Sequence, residues 1–292
     1  MKILILGSNG QIGSALIKEF KNYNIEHLNK DQLNCLNLED VKNFFINKSY
    51  DYVINAIAYT NVDQAEVNVD NAKLLNATYV NELSKILKKM NCSLIHYSTD
   101  YVFDGTKSSD YFEQSTPNPL NVYGRTKLLG DLFILRQKLN GYILRVSWVY
   151  GNKDQSFINK IQKQIDNNKT LRVVDDQIGT PTSSTFIAKI TKKLVELKNI
   201  KPIQIYNLSL KEKCSWFVFA KEYLRLKNIK TSIQNVKTDL ILQNAKRPKS
   251  VKLNSSKLEE FLQISFPSWR KVLKDYCSWL KRNRTLVCFF LI

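Results

Sequence analysis

The chain has 292 residues, 43% of them hydrophobic and 28 of them Tyr or Phe (14 each), enough to bury a core in one large or two modest domains. This composition excludes a disordered chain, and no run approaches the roughly 20 apolar residues of a membrane helix. The formal charge of +18 raises nucleic acid as a partner. Lysines such as Lys42, Lys85, Lys88, Lys160 and Lys163 are dispersed, however, with no basic block interleaved with aromatics, so we expect no nucleic-acid partner; the charge reads as solvated helix faces whose field attracts an anionic nucleotide.

In chain order, Ile3 to Leu6 forms a short buried strand running into Gly7, too short for a secretory hydrophobic segment. Gln11 to Tyr23 follows as a helix with Ile12, Leu16 and Phe20 on one face. After a second strand within IEHLNKD, a helical stretch lies around Val41 to Ile46. Tyr52 to Asn55 is a strand, Val69 to Met90 a long helix, and Ser93 to Tyr97 a strand. Pro117 and Pro119 bound a loop before a helix over Val122 to Lys138, and Tyr142 to Val146 is the next strand. Further on, Phe157 to Ile165, Thr185 to Leu197 and Trp216 to Leu226 read as helices, and Leu171 to Val174 and Ile203 to Tyr206 as strands.

Strands separated by helices in this rhythm predict an α/β fold: a doubly wound, parallel, Rossmann-type sheet with a smaller, mostly C-terminal substrate-binding lobe. The expected division is a dinucleotide-binding domain over residues 1–150, with part of 183–208 returning to it. Residues 151–284 form mainly the second lobe, and 285–292 (TLVCFFLI) an apolar tail, docked or disordered. Five scattered cysteines and two histidines lack metal-ligand spacing, so no metal site is expected, and reduced cytoplasm is the simplest compartment.

Three groups of residues carry chemistry. GSNGQIG places Gly7, Gly10 and Gly13 between the first strand and the first helix. Glycines there allow a tight turn and close approach of backbone to a pyrophosphate, which the helix N-terminus then faces. After the second strand, where an acidic residue would favour NAD, the chain offers Asn29 and Lys30. Lys30 either meets a 2′-phosphate, which favours NADPH over NADH, or is a solvated lysine. SLIHYSTDYVFDG ends a strand with Ser98, Thr99 and Asp100, and NVYGRTK supplies Tyr123 and Lys127, four apart on one helix face. A lysine ammonium beside a phenol favours the phenolate, which prepares the tyrosine to protonate a forming alkoxide. Thr99 orients the ketone oxygen.

GSNGQIG, NAIAYTNVDQAE, HYSTDYVFDG, NPLNVYGRTKLLGD, RVSWVYG, DDQIGTPT and RPKSVKLNSSKL together resemble the dTDP-4-dehydrorhamnose reductase family, in order from about Lys2 to Tyr276. The resemblance implies an extended short-chain-type fold. It also implies reduction of the 4-keto group of dTDP-4-dehydro-6-deoxy-L-mannose to dTDP-L-rhamnose by NADPH, or by NADH. Thr99, Tyr123 and Lys127 would be the catalytic set. Gly10, Gln11 and Ile12 would hold the pyrophosphate, and Ala58, Tyr59 and Thr60 would line the cofactor with Tyr97, Tyr123 and Lys127. Asn34 and Cys35 fall where the family contacts adenine or ribose. Thr99, Asp100 and Trp148 would contact substrate, although Asp100 could equally cap a turn and Trp148 belong to the core.

Arg247, before Pro248, suits a nucleotide phosphate or is a surface arginine. Asp63 and Glu66 either open the helix after the third strand or act in the site. Gly179 and Pro181 shape a loop, to which Gln177 and Thr182 add polar groups. Some members of the family carry a glutamate in a dimer-bridging Mg²⁺ site where this chain has Ala15. A homodimer is compatible with the pattern, but not through that metal. Two other functions fit: a regulatory subunit resembling the β subunit of methionine adenosyltransferase, and a reductase of another nucleotide 4-keto sugar.

Overall fold

The computed structural model describes residues 1–151, 153, 156–167, 170–197 and 202–289, with side chains described as far as Leu280. Six parallel strands form the main sheet: β1 (Lys2–Leu6), β2 (Asn24–Leu28), β3 (Tyr52–Asn55), β4 (Ser93–Thr99), β5 (Gly141–Val146) and, much later, β10 (Gln204–Leu208). Their spatial order is β10-β5-β4-β3-β1-β2. The chain leaves β1 for β2 at one edge and returns to β3 on the other side of β1. The crevice beyond the carboxyl ends of β1 and β3 is therefore the switch point where such sheets hold ligands.

Strand alternation builds the two faces. Ile3 and Ile5 of β1 pack with Leu16 of helix α1 (Gln11–Glu19) and Ile187, Ile190 and Leu194 of α8 (Ser184–Glu196). Leu4 and Leu6 pack on the opposite face with Val41 of α2 (Leu38–Phe45), Leu83 of α5 (Tyr79–Lys89) and Ile134 of α6 (Val122–Gln137). With both faces covered, the strands are near-continuous apolar runs.

Between β5 and β10 lie four short strands, β6 (Val149–Tyr150), β7 (Leu171–Val174), β8 (Ile178–Gly179) and β9 (Thr182–Ser183), and the helix α7 (Phe157–Asp166). After β10 come β11 (Cys214–Ser215), α9 (Trp216–Lys227), β12 (Ile233–Val236), α10 (Ser256–Leu262) and α11 (Trp269–Phe289). A separate apolar cluster, including Tyr150, Ile161, Leu171, Phe219, Trp269 and Leu273, joins α7, β7, α9 and α11. Among the described residues no helix is long and apolar enough to cross a membrane.

Several elements differ from expectation. Helix α1 stops at Phe20, since Asn24 must already pair with Lys2 for β2 to lie in register. The long helix expected over Val69 to Met90 is interrupted: α4 (Val69–Lys73) passes into a π-turn over Leu74–Thr78 before α5 begins. The short helix α3 (Val62–Val67) is capped by Asn61, whose side chain accepts from the Gln64 amide at 3.2 Å; Asp63 lies in its first turn as expected, and Glu66 does not. Glu66 caps another helix: its Oε1 accepts the Val122 amide at 2.7 Å, at the start of α6. The 285–292 tail begins inside α11; its side chains and residues 290–292 lie outside the described residues.

Helix α6 approaches its neighbours closely through glycine. A Cβ at Gly130 would collide with the carbonyl oxygen of Asn76 in the π-turn. We predict that Gly130→Ala separates these elements and destabilises the fold by about 1–3 kcal/mol, measured by urea denaturation.

Candidate active site

The loop after β1 forms an anion cradle. Gly7 has φ +83°, and a Cβ there would lie 2.9 Å from the Ala56 backbone beyond β3. At Gly13 a Cβ would strike the Gly7 carbonyl, so α1 can pack this close to β1 only with glycine. Gly10 precedes α1 without a side-chain cap, and the first turn holds no acidic residue. The first-turn amides of Gln11, Ile12 and Gly13 are therefore the donors a pyrophosphate needs. Gln11 Oε1 is buried without a hydrogen-bond partner. These features fit a dinucleotide. The Ile12 side chain packs into the core, leaving its backbone to face the cradle.

The loop after β3 borders the same crevice and is fixed by Asn76 of the π-turn. Asn76 Oδ1 accepts the Tyr59 amide at 2.8 Å, and its Nδ2 donates to Tyr59 O and to Thr126 Oγ1 of α6. Ala58, Tyr59 and Thr60 are thus held against the helix that carries Tyr123. This matches the tendency of π-turns to mark functional sites.

Thr99 and Tyr123 are brought together, and Lys127 reaches the strand that carries Thr99. Asn121 caps α6 by accepting the Gly124 amide at 2.8 Å, which places Tyr123 in the first turn and Lys127 one turn on. Thr99, at the end of β4, neighbours the Tyr123 phenol. Burial pushes the Tyr123 phenol up, against the pull of Thr99. The expected phenolate is thus not what the surroundings favour; the phenol holds its proton. Lys127 directs its contacts to β4 instead of the phenol: Nζ donates to Tyr97 O at 2.7 Å and lies 3.0 Å from His96 Nε2. The lysine is 1% exposed, and burial lowers its pKa to about 8, opposed by Asp131.

Beside this set, Asp100 accepts hydrogen bonds from Ser147 Oγ at 2.7 Å and Thr99 Oγ1 at 3.1 Å. It lines a cleft with Tyr101, Trp148, Gln177, Ile178 and Pro248. Burial raises its carboxyl to about 6, against both hydrogen bonds. Trp148 belongs to the cleft, not the core: it is half-exposed, has φ +43°, and stacks on Trp216 at 3.6 Å with planes 3° apart. Gly179 has no unusual φ; its role is space, because a Cβ there would collide with the Trp148 indole. Thr182 is buried and donates to Thr180 O, away from the cleft.

Other expected residues are placed differently. Side chains alternate along β4, so with His96 turned to α6, the Tyr97 ring points to the opposite face and its hydroxyl bonds Thr191 Oγ1 at 2.7 Å. Only the Tyr97 carbonyl reaches the site. Cys35 is buried in the core beneath β2, where burial raises its thiol to about 11. Asn34 and Lys30 are exposed near the end of β2, and Asn34 Oδ1 accepts the Leu36 amide. Arg247 is mostly buried, not a surface arginine: its guanidinium grips Asp63 at 2.7 and 3.1 Å and donates to Gln243 Oε1 at 2.6 Å.

Asn55, Asn76, His96, Asp131, Ser147 and Trp216 escaped the sequence reading. Asp131 was within reach of it, since it follows Lys127 by the same four-residue step that links Lys127 to Tyr123. Asn76 gave no signal, being one polar residue in a long helical pattern.

Comparison with known proteins agrees with this geometry. The family model described as RmlD substrate binding domain matches residues 1–282. The spore coat polysaccharide biosynthesis protein SpsK of Bacillus subtilis is 32% identical over 277 residues, covering 94% of this chain and 96% of its own. The crystal structure of a dTDP-4-dehydrorhamnose reductase from Clostridium acetobutylicum superposes with a TM-score of 0.90 at 34% identity, covering 96% of this chain and all of that one. The enzyme of that name from Bacillus anthracis, in complex with NADP, gives 0.89 at 30% identity, covering 94% and 98%.

Asp100 generates a pH prediction. The folded protein keeps this proton up to about pH 6, whereas the unfolded chain releases it near pH 4, so ionisation between the two subtracts stability as pH rises. Asp100→Asn should therefore be more stable than the parent at pH 7, by on the order of 2 kcal/mol, with the difference vanishing below about pH 4. Urea denaturation across that range measures it; a difference independent of pH contradicts the assignment.

Proposed function

The chain belongs to the RmlD substrate binding domain family, and from that premise we propose that it is an NADPH-dependent dTDP-4-dehydrorhamnose reductase, able to accept NADH. It reduces the 4-keto group of dTDP-4-dehydro-6-deoxy-L-mannose to give dTDP-L-rhamnose for polysaccharide biosynthesis. What supports this reading is that Thr99, at the end of β4, neighbours the Tyr123 phenol while Lys127, one turn along α6, reaches the same strand at Tyr97 O, on a sheet whose β1 lies between β2 and β3. When bound, the dinucleotide supplies the hydride that becomes the new C–H bond at C4.

The protein's part is to supply the proton and hold the ketone. Tyr123, whose phenol retains its proton, donates it to the carbonyl oxygen as charge develops there. Thr99 Oγ1 orients that oxygen. Lys127 stands within the same dry enclosure and steadies the tyrosinate that remains. Asp100 and Trp148 hold the sugar in the adjoining cleft, Trp148 offering an indole face backed by Trp216. Residues 1–150 with 183–208 serve the dinucleotide, and residues 151–284 mainly the substrate. Arg247 serves by clamping the loop around Ala245 to α3 through Asp63. Cytoplasmic residence and a homodimer complete the reading.

The burial of Asp100, Lys127 and Asp131 favours a catalytic over a regulatory, non-catalytic role, because it costs folding free energy and sites that tune proton affinities for chemistry are where such groups cluster. The test is NADPH oxidation with the 4-keto sugar nucleotide. Tyr123→Phe should lower kcat by about 10²- to 10⁴-fold while NADPH still binds. Turnover retained in that variant removes Tyr123 from the role of proton donor.

A further inference from the structure

Asp131 lies one turn beyond Lys127 on α6, and proton donation by Tyr123 does not touch it. Both side chains are 1% exposed and both turn to β4 at consecutive residues. Lys127 Nζ donates to Tyr97 O at 2.7 Å, and Asp131 Oδ2 accepts from Ser98 Oγ at 2.5 Å. Ser98 pairs in register with Arg145 of β5, so the arginine leaves the sheet on the same face, and it is 3% exposed. Arg145 Nη1 donates to Glu113 O at 3.1 Å, while its Nε is buried without a partner, as is Asp131 Oδ1. Lys127, Asp131 and Arg145 thus form an enclosed row of cation, anion and cation. Tying α6 to β4 requires only an acceptor for Ser98, which an amide would supply. Enclosing two cations requires a negative charge between them.

We propose that Asp131 is a positioning residue, the buried counter-charge that keeps Lys127 an ammonium, with Ser98 and Arg145 keeping Asp131 itself ionised. No bond is made or broken at Asp131. The proton delivered to the ketone is that of Tyr123, and Lys127 retains its own, so its charge is in place when the tyrosinate forms. The ammonium donates to Tyr97 O, and its charge, after burial, keeps the His96 ring 3.0 Å away neutral.

The charged and titratable groups facing the pair act in both directions. Burial works against the Lys127 charge, and Asp131 supports it. Burial likewise raises the Asp131 carboxyl, opposed by Lys127, Arg145 and the Ser98 hydrogen bond. Arg145 is drawn to Asp131 and also to Glu113, whose Oε1 is engaged by the Asn207 amide at 2.9 Å. Tyr97 and Tyr101 are phenols pushed up by burial. Asp100 is engaged by Ser147 and Thr99, and Glu66 of α3 by the Val122 amide. On α6 burial holds the Tyr123 proton, and Asp131 adds to that hold. One enclosed carboxylate therefore favours the protonated forms of both Lys127 and Tyr123.

The ionisation of Lys127 is independent of the reductase reading; its effect on turnover rests on that reading. A ¹³Cε–¹⁵Nζ correlation across pH on the lysine-labelled full chain, with Lys127→Arg to assign the signal, follows Nζ directly. Lys127 is expected to carry its charge at neutral pH. Asp131→Asn, which still accepts from Ser98, should lower its titration midpoint by about one pH unit. Ser98→Ala keeps the carboxyl but removes its donor, and should lower the midpoint in the same direction. The double variant should go no further than Asp131→Asn alone. A midpoint that stays or rises in folded Asp131→Asn overturns the proposal; if that variant does not fold, Ser98→Ala decides by the same reading. In NADPH oxidation the alkaline limb of kcat/KM for the sugar nucleotide should move down with the midpoint, the rate on its acid side being retained. A uniformly lower rate with an unmoved limb, as lost packing would give, also overturns it. Absence of turnover in every form counts against the reductase reading, and the lysine titration still decides this one.

Discussion

A lysine enclosed by protein is the constraint on which the rest of the site depends. Nζ of Lys127 meets the carbonyl of Tyr97 and the ring of His96, and the side chain is 1% exposed. Removing a cation from water is expensive, so such a group persists only where neighbours offset the loss or take its proton away. Here Asp131 supports the charge from one turn further along α6, while burial works against it. The consequence is an amine whose proton is loosely held, close to a phenol whose proton is tightly held. A site that must deliver a proton to a ketone and recover needs groups poised apart in this way.

Helix α6 is the wall that makes this enclosure possible. Its cap at Asn121, its start under Glu66 and its glycines bring backbone against backbone. A Cβ at Gly124 would collide with the Tyr101 carbonyl, just as one at Gly130 would with Asn76. Close approach on two sides shuts water out around Lys127 and orients Tyr123 toward Thr99. Asn76 then ties the same helix to the loop after β3. Tyr123 and Lys127 are therefore tied through α6 to the loop after β3, a preorganised arrangement of the kind proton transfer requires.

The substrate side is built on a different principle. The Trp148–Trp216 stack joins the turn after β5 to the start of α9, with Gly179 leaving room for the indole. Arg247 joins the loop before Ser250, which bridges to Ile178 of β8, to α3 through Asp63, whose carboxyl is held low by that hydrogen bond. Long-range contacts of this kind connect elements far apart in the chain, so they position the cleft only after the whole fold has formed.

Local physics made much of this protein legible from its residues. The periodicities of apolar side chains determined the alternation of strand and helix, the glycine turn determined the close approach of α1 to β1, and the four-residue step determined that Tyr123 and Lys127 share a helix face. What these have in common is short range: each depends on residues within a few positions of one another. Tertiary structure decided the rest. The face of β4 that meets α6 sends His96 to the lysine and Tyr97 to α8; burial deep beneath β2 takes Cys35 into the core; the reach of Asp63 turns Arg247 into a clamp. Proton affinities belong to the same class. Whether Lys127 is ammonium or amine, and whether Tyr123 is phenol or phenolate, is set by dielectric surroundings and hydrogen-bond partners drawn from separate elements, and no local pattern of residues encodes them.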